Sequence, residues 1–475
     1  INVAKIKGDG IEINGTEYAQ SELASSDKGI NINAAKIKLD GQTQANEDIN
    51  LNGNVENKSN IYAGGNLNTL DMINSGNINA SGNITAKDFR NSLATVLSGG
   101  NFNVKNLDNS GNIQVSGITD INGKFDNTGA LTSVKRISVL GNVSSTGNIL
   151  TNEDLTAKNT VTSGAIVAKN LRVDNLANDG KISTNGELTA KDVKNTGEIL
   201  SSEKISGNSF VTSGKVQTNE TLDINGFLDN NGTVGALKDI SVAGNVLNSG
   251  EILTNGDFTS KNMDTSGTVV SNNLRTGNLQ NDGKIIANGD LKAKKVKNTK
   301  DITAVGTVSS DDLITSGNVR ANGKITVSGK LENSGSVETS KNISVAGNIK
   351  NDGRIAANDD LAGKNTENNG NIYVKNLEVN NLKNTGKVEG MNLKTDDITN
   401  SGDITAIGKI SSGNIDNSGK LLANDTISAK NIKNATSSSK IAAGKGVTGE
   451  RVENSGTFAT NGDIKATSSL VNSGT

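Results

Sequence analysis

Carboxylate pairs are the side chains of this sequence whose type and spacing best suit chemistry. Adjacent acids occur at Asp311-Asp312, Asp359-Asp360 and Asp396-Asp397. Paired carboxylates can share acid–base work or bind calcium, as they do in some polysaccharide lyases. The more ordinary interpretation of such pairs is a solvated turn, and we favour it for all three.

The composition excludes most other chemistry. The 475 residues include no His, Cys, Trp or Pro, which removes thiol and imidazole nucleophiles, structural zinc sites and disulfides. With three Tyr and seven Phe, the chain lacks the rings on which sugars and single-stranded nucleic acids stack. The 48 basic and 50 acidic residues nearly cancel, which argues against a nucleic-acid partner or a polybasic membrane patch. No phosphate-loop, dinucleotide or calcium-repeat motif occurs, so the sequence predicts no catalytic, cofactor-binding or metal-binding residues.

A repeated turn signal organises the rest of the chain, which contains 73 Asn and 55 Gly. In most copies an Asn or Thr is followed by Ser, Thr, Asp or Asn, then Gly, one further residue and an Ile, Val or Leu. The signal recurs from Gly76 to Gly474 in 23 steps of 16–20 residues, and Leu93, Lys300 and Ser439 stand at three degenerate positions. This spacing predicts one coil of a repeat protein for each turn signal.

Seven coils share a stricter pattern, which we count from their glycines. These glycines are Gly147, Gly180, Gly250, Gly283, Gly353, Gly419 and Gly456. An apolar residue follows two positions later at Ile149, Ile182, Ile252, Ile285, Ile355, Leu421 and Phe458. A second apolar column follows at eight positions, at Leu155, Leu188, Phe258, Leu291, Leu361, Ile427 and Ile464. Five positions after each glycine the residue is Asn: Asn152, Asn185, Asn255, Asn288, Asn358, Asn424 and Asn461. The alternation of apolar and polar residues predicts short β-strands with the apolar columns facing inward.

Charged residues recur in the same coils. Acids lie seven positions after the glycine at Asp154, Glu187, Asp257, Asp290, Asp360 and Asp463. Lysines lie eleven positions after it at Lys158, Lys191, Lys261, Lys294, Lys364 and Lys430. The intervening coil lacks an acid at that place, so two such acids stand too far apart to share one ion. We interpret both sets as solubilising groups that discourage lateral pairing of molecules.

A longer repeat of 103 residues is superimposed on the coils. The heptapeptides Ile137–Val143, Ile240–Val246 and Ile343–Ile349 follow one another at this interval. The copies span residues 111–213, 214–316 and 317–418, and the last is one residue shorter. Six coils have therefore been duplicated as a block.

These patterns predict an all-β protein, a parallel β-helix (β-solenoid) with about 17 residues per coil, and right-handed coiling is the expected hand. Gly, Asn, Thr and Ser weaken helices, whereas stacked coils turn each apolar column into a continuous stripe. Asn that recurs at one turn column can form amide ladders. Asn and Gly also tolerate the left-handed conformation, which we expect at the corners.

Several turn elements resemble filamentous-haemagglutinin repeats over about residues 60–475. They include NSGNI at Asn109–Ile113, NTGEI at Asn195–Ile199 and NDGKI at Asn281–Ile285. The resemblance implies a right-handed β-helical rod from a large exoprotein of Gram-negative two-partner secretion, a group that includes adhesins and contact-dependent inhibition sticks. It also implies secretion to the cell surface by an outer-membrane transporter that acts on an N-terminal domain. That domain has no match here, so we expect this chain to be an internal piece of a longer protein.

Two parts of the chain depart from the regular repeat of residues 61–475. Residues 1–60 alternate apolar and polar residues without the turn signal, and they are either further coils of drifting length, which we favour, or hairpins that lean on the rod. Asn434–Lys440 falls in the one 20-residue step and is predicted to form an external loop.

Two classes of function remain. The first is a non-catalytic, monomeric, rod-like shaft that acts as an adhesin, or as a stalk presenting a distal receptor-binding or toxin region to a host cell or a neighbouring bacterium. The alternative is a β-helical glycan-degrading enzyme or a tailspike-like depolymerase. An enzyme would interrupt its coils with long loops that build a cleft, whereas a single step here exceeds 18 residues. The sequence therefore favours the shaft.

Overall fold

The computed structural model describes all residues from 1 to 475, and they form two compact units, residues 1–239 and 240–475. Within each unit every strand pairs in parallel with the equivalent strands of the coils before and after it, as Ile182 does with Ile166 and Ile199. The strands stack about 17 residues apart, and the two units together contain about 28 coils. No helix occurs in the chain, so it has no helical segment that could span a membrane. The predicted parallel β-solenoid is confirmed.

A typical coil has three strand positions. The first follows the corner glycine, and the second and third, often joined, lead to the next corner. Residues 1–239 begin with Asn2–Gly8, Ile11–Ser26 and Ile30–Leu39. Their first-position strands are Gln42–Ala45, Ile61–Ala63, Ile78–Ala80, Thr95–Ser98, Asn112–Val115, Ala130–Ser133, Asn148–Thr151, Ala165–Ala168, Lys181–Thr184, Glu198–Ser201, Lys215–Thr218 and Thr233–Ala236. The joined strands are Ile49–Asn57, Ile84–Asn91, Phe102–Asn109, Ile137–Ser145, Leu155–Thr162, Leu171–Asn178 and Leu188–Asn195. The separate second and third strands are Leu67–Thr69 and Met72–Asn74, Thr119–Ile121 and Phe125–Asn127, Ile205–Gly207 and Ser209–Thr212, and Leu222–Ile224 and Leu228–Asn230.

Residues 240–475 repeat this arrangement. The first-position strands are Glu251–Thr254, Thr268–Ser271, Lys284–Ala287, Asp301–Ala304, Asn318–Ala321, Ser336–Thr339, Lys387–Gly390, Asp403–Ala406, Lys420–Ala423, Lys440–Ala443 and Thr457–Thr460. The joined strands are Ile240–Asn248, Phe258–Thr265, Leu274–Asn281, Leu291–Asn298, Asn392–Asn400, Ile410–Asn417, Thr426–Asn434, Gly446–Asn454 and Asp463–Asn472. The separate ones are Val308–Ser310 and Asp312–Thr315, Ile325–Val327 and Leu331–Asn333, and Ile343–Val345 and Ile349–Asn351, while Arg354–Asn368 and Asn371–Asn384 each run through a whole coil.

The core is a stack of inward-facing apolar residues, and both predicted apolar columns face it. Ile182 and Leu188 are fully buried, as are their equivalents in the coils on either side. A third inward position four residues before the corner glycine, represented by Val193, completes each layer. The two terminal coils depart from the pattern: Val3 and Ile6 are half-buried in the first, and in the last Phe458 is half-buried and Ile464 is exposed.

Residues 1–60 form coils that stack under those that follow. Ile11 pairs with Ile30, Ile30 with Ile49, and Ile49 with Leu67, all in parallel. The first coils are therefore about 19 residues long, slightly longer than the later ones. The parallel pairing continues without interruption past residue 60.

The corners are tight for a different reason from the one the sequence suggests. None of the corner glycines has a left-handed φ, so that expectation is wrong. Instead, a Cβ at Gly129 would lie 2.0 Å from the carbonyl oxygen of Gly111 in the coil before it, and a Cβ at Gly147 would lie 1.9 Å from that of Gly129. Glycine is needed because successive coils approach each other too closely for a side chain.

Leu93 is an additional residue in one corner. The sequence repeat puts a corner glycine at this position, but the strand register places Ala94 against the next corner glycine, Gly111. The φ of Leu93 is 58°, and the residue is 89% exposed. The left-handed conformation turns the side chain into solvent, away from the preceding coil. Residues with a Cβ adopt this region at a cost of about 1–2 kcal/mol.

The predicted external loop lies at residues 435–439. It extends one corner outward, with Thr436, Ser437 and Ser438 exposed. The Ser439 amide donates a hydrogen bond to the Thr436 carbonyl (3.1 Å), which closes the loop, and Ser439 itself is buried at the place of the corner glycine.

Candidate functional site

The three carboxylate pairs lie in turns or on strand surfaces and are hydrogen-bonded to adjacent coils. Asp311 Oδ1 accepts from the Ser328 hydroxyl (3.1 Å), and Asp312 Oδ1 accepts from the Lys330 backbone amide (3.1 Å). In the other two pairs, amide groups of the next coil donate to the carboxylates, Asn376 to Asp360 (2.7 Å) and Asn414 to Asp397 (2.6 Å). Each of these acids therefore serves as a link between coils. No group of three or more acidic side chains is placed to hold a metal ion.

The recurring acids seven positions after a corner glycine belong to a mixed column of acids and amides. Asn170 lies between Asp154 and Glu187: its Nδ2 donates to Asp154 Oδ1 (2.7 Å) and its Oδ1 accepts from the Glu187 backbone amide (2.7 Å). Arg172 also pairs with Asp154 (2.6 Å). The side chains thus cap backbone N–H groups in the turn that precedes the second strand position. The sequence placed the acids two coils apart, and the amide of the intervening coil bridges them.

The same column recurs one block later with Asp257, Asn273 and Asp290. Burial is the largest influence on the Asp257 carboxyl group and raises its pKa. Hydrogen bonds from Asn273 and Asn272, aided by the charge of Arg275, outweigh burial and hold the pKa below the ordinary value. Asp257 is therefore ionised at neutral pH, as a link between coils requires.

Buried asparagines at the corners form the most extensive polar array of the molecule. They stand two residues before the corner glycine, and their side chains point into the coil. The longest unbroken run consists of Asn333, Asn351, Asn368, Asn384, Asn400, Asn417, Asn434, Asn454 and Asn472. Each Nδ2 donates to the Oδ1 of the next coil's asparagine at 2.7–3.0 Å. We call this array the corner ladder.

Each member of the corner ladder also satisfies backbone groups. Asn400 Nδ2 lies 3.0 Å from the Gly402 carbonyl oxygen and 2.9 Å from that of Lys420. Buried carbonyl groups at a tight corner would otherwise lack partners. The predicted amide ladder is thus present at the Asn that opens the turn signal, whereas the Asn five positions after the glycine, such as Asn424, lie exposed in bends.

Aromatic and cationic side chains meet at one surface position. Arg354 lies 4.6 Å from the ring centroid of Tyr373 and Lys387 lies 5.7 Å from it. Arg354 also pairs with Glu338 (3.0 Å), and Arg320 pairs with the same carboxylate (3.1 Å). These residues occupy first-position strands of successive coils. Their spacing of 14–19 residues was too irregular to single them out in the sequence.

The recurring lysines are all exposed, and they take part in single ion pairs at most. Lys191, for example, lies 3.0 Å from Asp174. An exposed pair of this kind contributes about 0–1 kcal/mol. The lysine column therefore offers a charged surface and no enclosed site.

A column of charges runs along the third strand position of the second unit. In order, its residues are Glu332, Lys350, Glu367, Lys383, Thr399, Asp416, Lys433 and Glu453. We call it the charge ladder. Its side chains point outward, and Lys383 lies 3.0 Å from Glu367 along the column. A shallow groove beside Lys350 and Lys383 is open to solvent.

No protein-family model, curated protein or solved structure matches the chain significantly. The polar groups of the chain follow one arrangement throughout. Carboxylates and amides link coils, lysines and glutamates coat the outside, and the same linkages recur from coil to coil. The molecule therefore has a repetitive, hydrated surface, and hydrogen bonds and ion pairs between side chains hold its coils together.

Proposed function

We propose that the chain is a non-catalytic shaft of a large secreted bacterial surface exoprotein, acting as an adhesin or as a stalk that presents a distal receptor-binding or toxin region. The observation that carries the proposal is the repetition of one six-coil block. Leu171 pairs with Leu188, Leu274 with Leu291, and Leu377 with Leu393, at equivalent positions of the three copies. Duplicating such a block adds length and equivalent side surface, whereas a catalytic site needs one singular constellation.

The coil geometry supports the same proposal. The longest irregular insertion is the loop at residues 435–439, and the carboxylate pairs are used for hydrogen bonds between coils. A cleft enzyme builds its site from long loops on a rigid scaffold. Here successive coils have almost the same length, and no long loop is inserted between them.

The biological setting of the proposal comes from the resemblance to filamentous-haemagglutinin repeats. In this proposal the parent protein is exported by an outer-membrane two-partner-secretion transporter to the surface of a Gram-negative bacterium. A receptor on a host cell or a neighbouring bacterium is the corresponding partner. Little aromatic surface is available to bind such a receptor by stacking. This favours a role of the segment in extending the protein away from the cell over a role in binding the receptor itself.

Deleting one complete block tests the proposal. Removal of residues 111–213 joins Ser110 to Gly214, which occupy successive positions of an equivalent corner. We expect a folded protein that is shorter by six coils, about 29 Å at about 4.8 Å per coil. Circular dichroism and small-angle scattering measure these two quantities. Removal of residues 111–205 is the matched control, because it joins different strand positions and should disrupt stacking.

Two results would contradict the proposed function. One is cleavage of a polysaccharide by the purified protein, which would favour the depolymerase. The other is equal loss of structure in the two deletions, since an interchangeable spacer must tolerate the loss of a whole block.

A further inference from the structure

The charge ladder of the second unit has a symmetry that the rest of the surface lacks. Along eight successive coils the charges run negative, positive, negative, positive, neutral, negative, positive, negative. Thr399 is the neutral member. Reversing the order about Thr399 exchanges six of the seven charges with their opposites: Lys383 with Asp416, Glu367 with Lys433, and Lys350 with Glu453. The seventh, Glu332, falls opposite Val471. The ladder is therefore complementary to its own reversed copy.

We propose that this face pairs with the same face of a second copy of the chain, in antiparallel orientation, about a two-fold axis through Thr399. Under this axis Lys383 of one copy faces Asp416 of the other, and the symmetry repeats every contact. Three kinds of pair thus give six opposite-charge contacts. Parallel strands place all of these residues at one regular spacing of about 4.8 Å, so one alignment brings all six into register.

Neighbouring alignments are opposed by the same charges. Moving the axis by half a coil, to a point between Lys383 and Thr399, sets Glu367 against Asp416 and Lys350 against Lys433. Like charges directly opposite each other are destabilising. Moving the axis by a whole coil, to Lys383, keeps four opposite-charge contacts but sets Lys383 against Lys383. The register about Thr399 therefore has the most opposite-charge contacts. In the first unit, the equivalent column includes Val161, Ala177 and Val211 and has no such alternation.

The column beside the charge ladder is compatible with the pairing except at its centre. Its residues are Asn348, Asn365, Asn381, Asp397, Asn414 and Asn431, linked along the coils by side-chain hydrogen bonds or parallel pairing. Reversal about the same axis sets Asn381 against Asn414, Asn365 against Asn431, and Asn348 against Arg451, which continues the column. It also sets Asp397 against Asp397 of the second copy. This is the one like-charged contact, so a substitution that removes its charge should strengthen the pairing.

The contact is small and therefore salt-sensitive. Seven coils of about 4.8 Å by a strand width of about 10 Å bury about 700 Å² in total, in the range of weak, transient interfaces. Exposed ion pairs each contribute little, and Lys383 already has Glu367 of its own chain within 3.0 Å. The pairing is independent of the proposed shaft function, since a shaft works equally as a monomer.

Sedimentation of the intact chain tests the pairing. We expect a monomer–dimer equilibrium at about 0.01 M ionic strength that is lost at about 1 M, where the Debye length falls from about 30 Å to about 3 Å. Lys383→Glu reverses two symmetry-related contacts and should raise the Kd about tenfold. Lys383→Glu combined with Asp416→Lys restores complementarity within one chain and should recover the original Kd. Asp397→Asn removes the like-charged contact and should lower the Kd.

A single cysteine locates the axis, because the chain has no Cys of its own. Thr399→Cys faces itself across the axis and should give a covalent dimer with a short bis-maleimide. Ser411→Cys is the matched control, since Ser411 is exposed on a different strand position. The proposal is overturned if the wild type stays monomeric at low salt, if the double charge reversal fails to rescue, or if the two cysteine variants cross-link equally.

Discussion

At the residue scale, the corner asparagines form hydrogen bonds between coils that an apolar side chain could not form. Asn400 is buried, accepts from Asn384 (2.8 Å), and donates to Asn417 (2.8 Å) and to two carbonyl groups. A side chain with both a donor and an acceptor is the only kind that can continue the ladder in both directions. The corner ladder therefore couples the coils from Asn333 to Asn472 through side chains as well as backbone.

Asn400→Ala should lower the free energy of unfolding by about 2–3 kcal/mol, because it leaves several buried polar groups without partners. Asn424→Ala is the matched control, since Asn424 is exposed in a bend, and its effect should stay within about 0.5 kcal/mol. Urea denaturation of the two variants measures the difference. Equal effects would show that the corner ladder contributes nothing beyond the backbone pairing.

Leu93→Gly should stabilise the protein. The substitution relieves a left-handed residue with a Cβ, which is worth about 1–2 kcal/mol, and loses about 0.5–1 kcal/mol through the flexibility of glycine in the unfolded chain. A net gain of up to about 1 kcal/mol should appear as a higher midpoint of urea denaturation. Leu150→Gly provides the contrast, because Leu150 lies within the strand Asn148–Thr151, where glycine should destabilise. A loss of stability in both variants would contradict the strain at Leu93.

At the scale of the element, each strand is defined by which of its residues enter the core. Leu188 pairs with Leu171 on one side and Ile205 on the other, and all three are fully buried. Adjacent residues alternate between core and surface because the side-chain period of a strand is two. A single coil cannot bury its apolar face, so each column is stabilised only by the coils stacked on it.

Leu188→Asp should destabilise the first unit by at least about 3 kcal/mol, because it buries an unpaired charge in a continuous apolar column. Glu187→Ala, one residue earlier, should change the free energy of unfolding by no more than about 0.5 kcal/mol. The hydrogen bond at Glu187 uses its backbone amide and survives the substitution. Thermal unfolding followed by circular dichroism compares the two. Similar shifts would mean that the inward and outward assignments of this strand are wrong.

At the scale of the whole molecule, carboxylates that link coils make stability depend on pH. The pKa of Glu198 lies below its ordinary value of 4.5, chiefly through a hydrogen bond from Lys181. The pKa of Asp282 lies below 3.8, chiefly through the hydroxyl of Thr299 at 2.6 Å. A lowered pKa in the folded state stabilises the fold above the ordinary pKa, and this contribution is lost as the pH falls through the folded value.

We therefore expect the melting temperature to be constant near neutral pH and to fall as the pH is lowered through 4.5 and 3.8 and below. Thermal unfolding at a series of pH values from neutral to acid measures this dependence. The double variant Glu198→Gln, Asp282→Asn should show a shallower fall, because two of the titrating links are absent. A melting temperature that rises on acidification would contradict the assigned signs.

The sequence by itself determined the period, the strand positions and the inward columns. Ile182 and Leu188 could be assigned to the core because their equivalents recur in coil after coil at fixed distances from a glycine. The 103-residue block was equally plain, since identical heptapeptides mark it. Each inward position is indicated independently in many coils, so an irregularity in one coil does not change the assignment.

Other features were decided only when the coils were stacked. Asn400 and Asn424 are the same residue type in similar turns, and their different burial depends on which one points between successive corners. Glycine at Gly129 is required by the carbonyl oxygen of Gly111, 18 positions earlier, and not by its own φ. The partners in the charge ladder are likewise 16–20 residues apart at steps that drift, so Lys383 and Asp416 become equivalent only through the pairing register. The physical reason is common to all three: the contacts that matter run along the stack, perpendicular to the chain, and a sequence lists residues only along the chain.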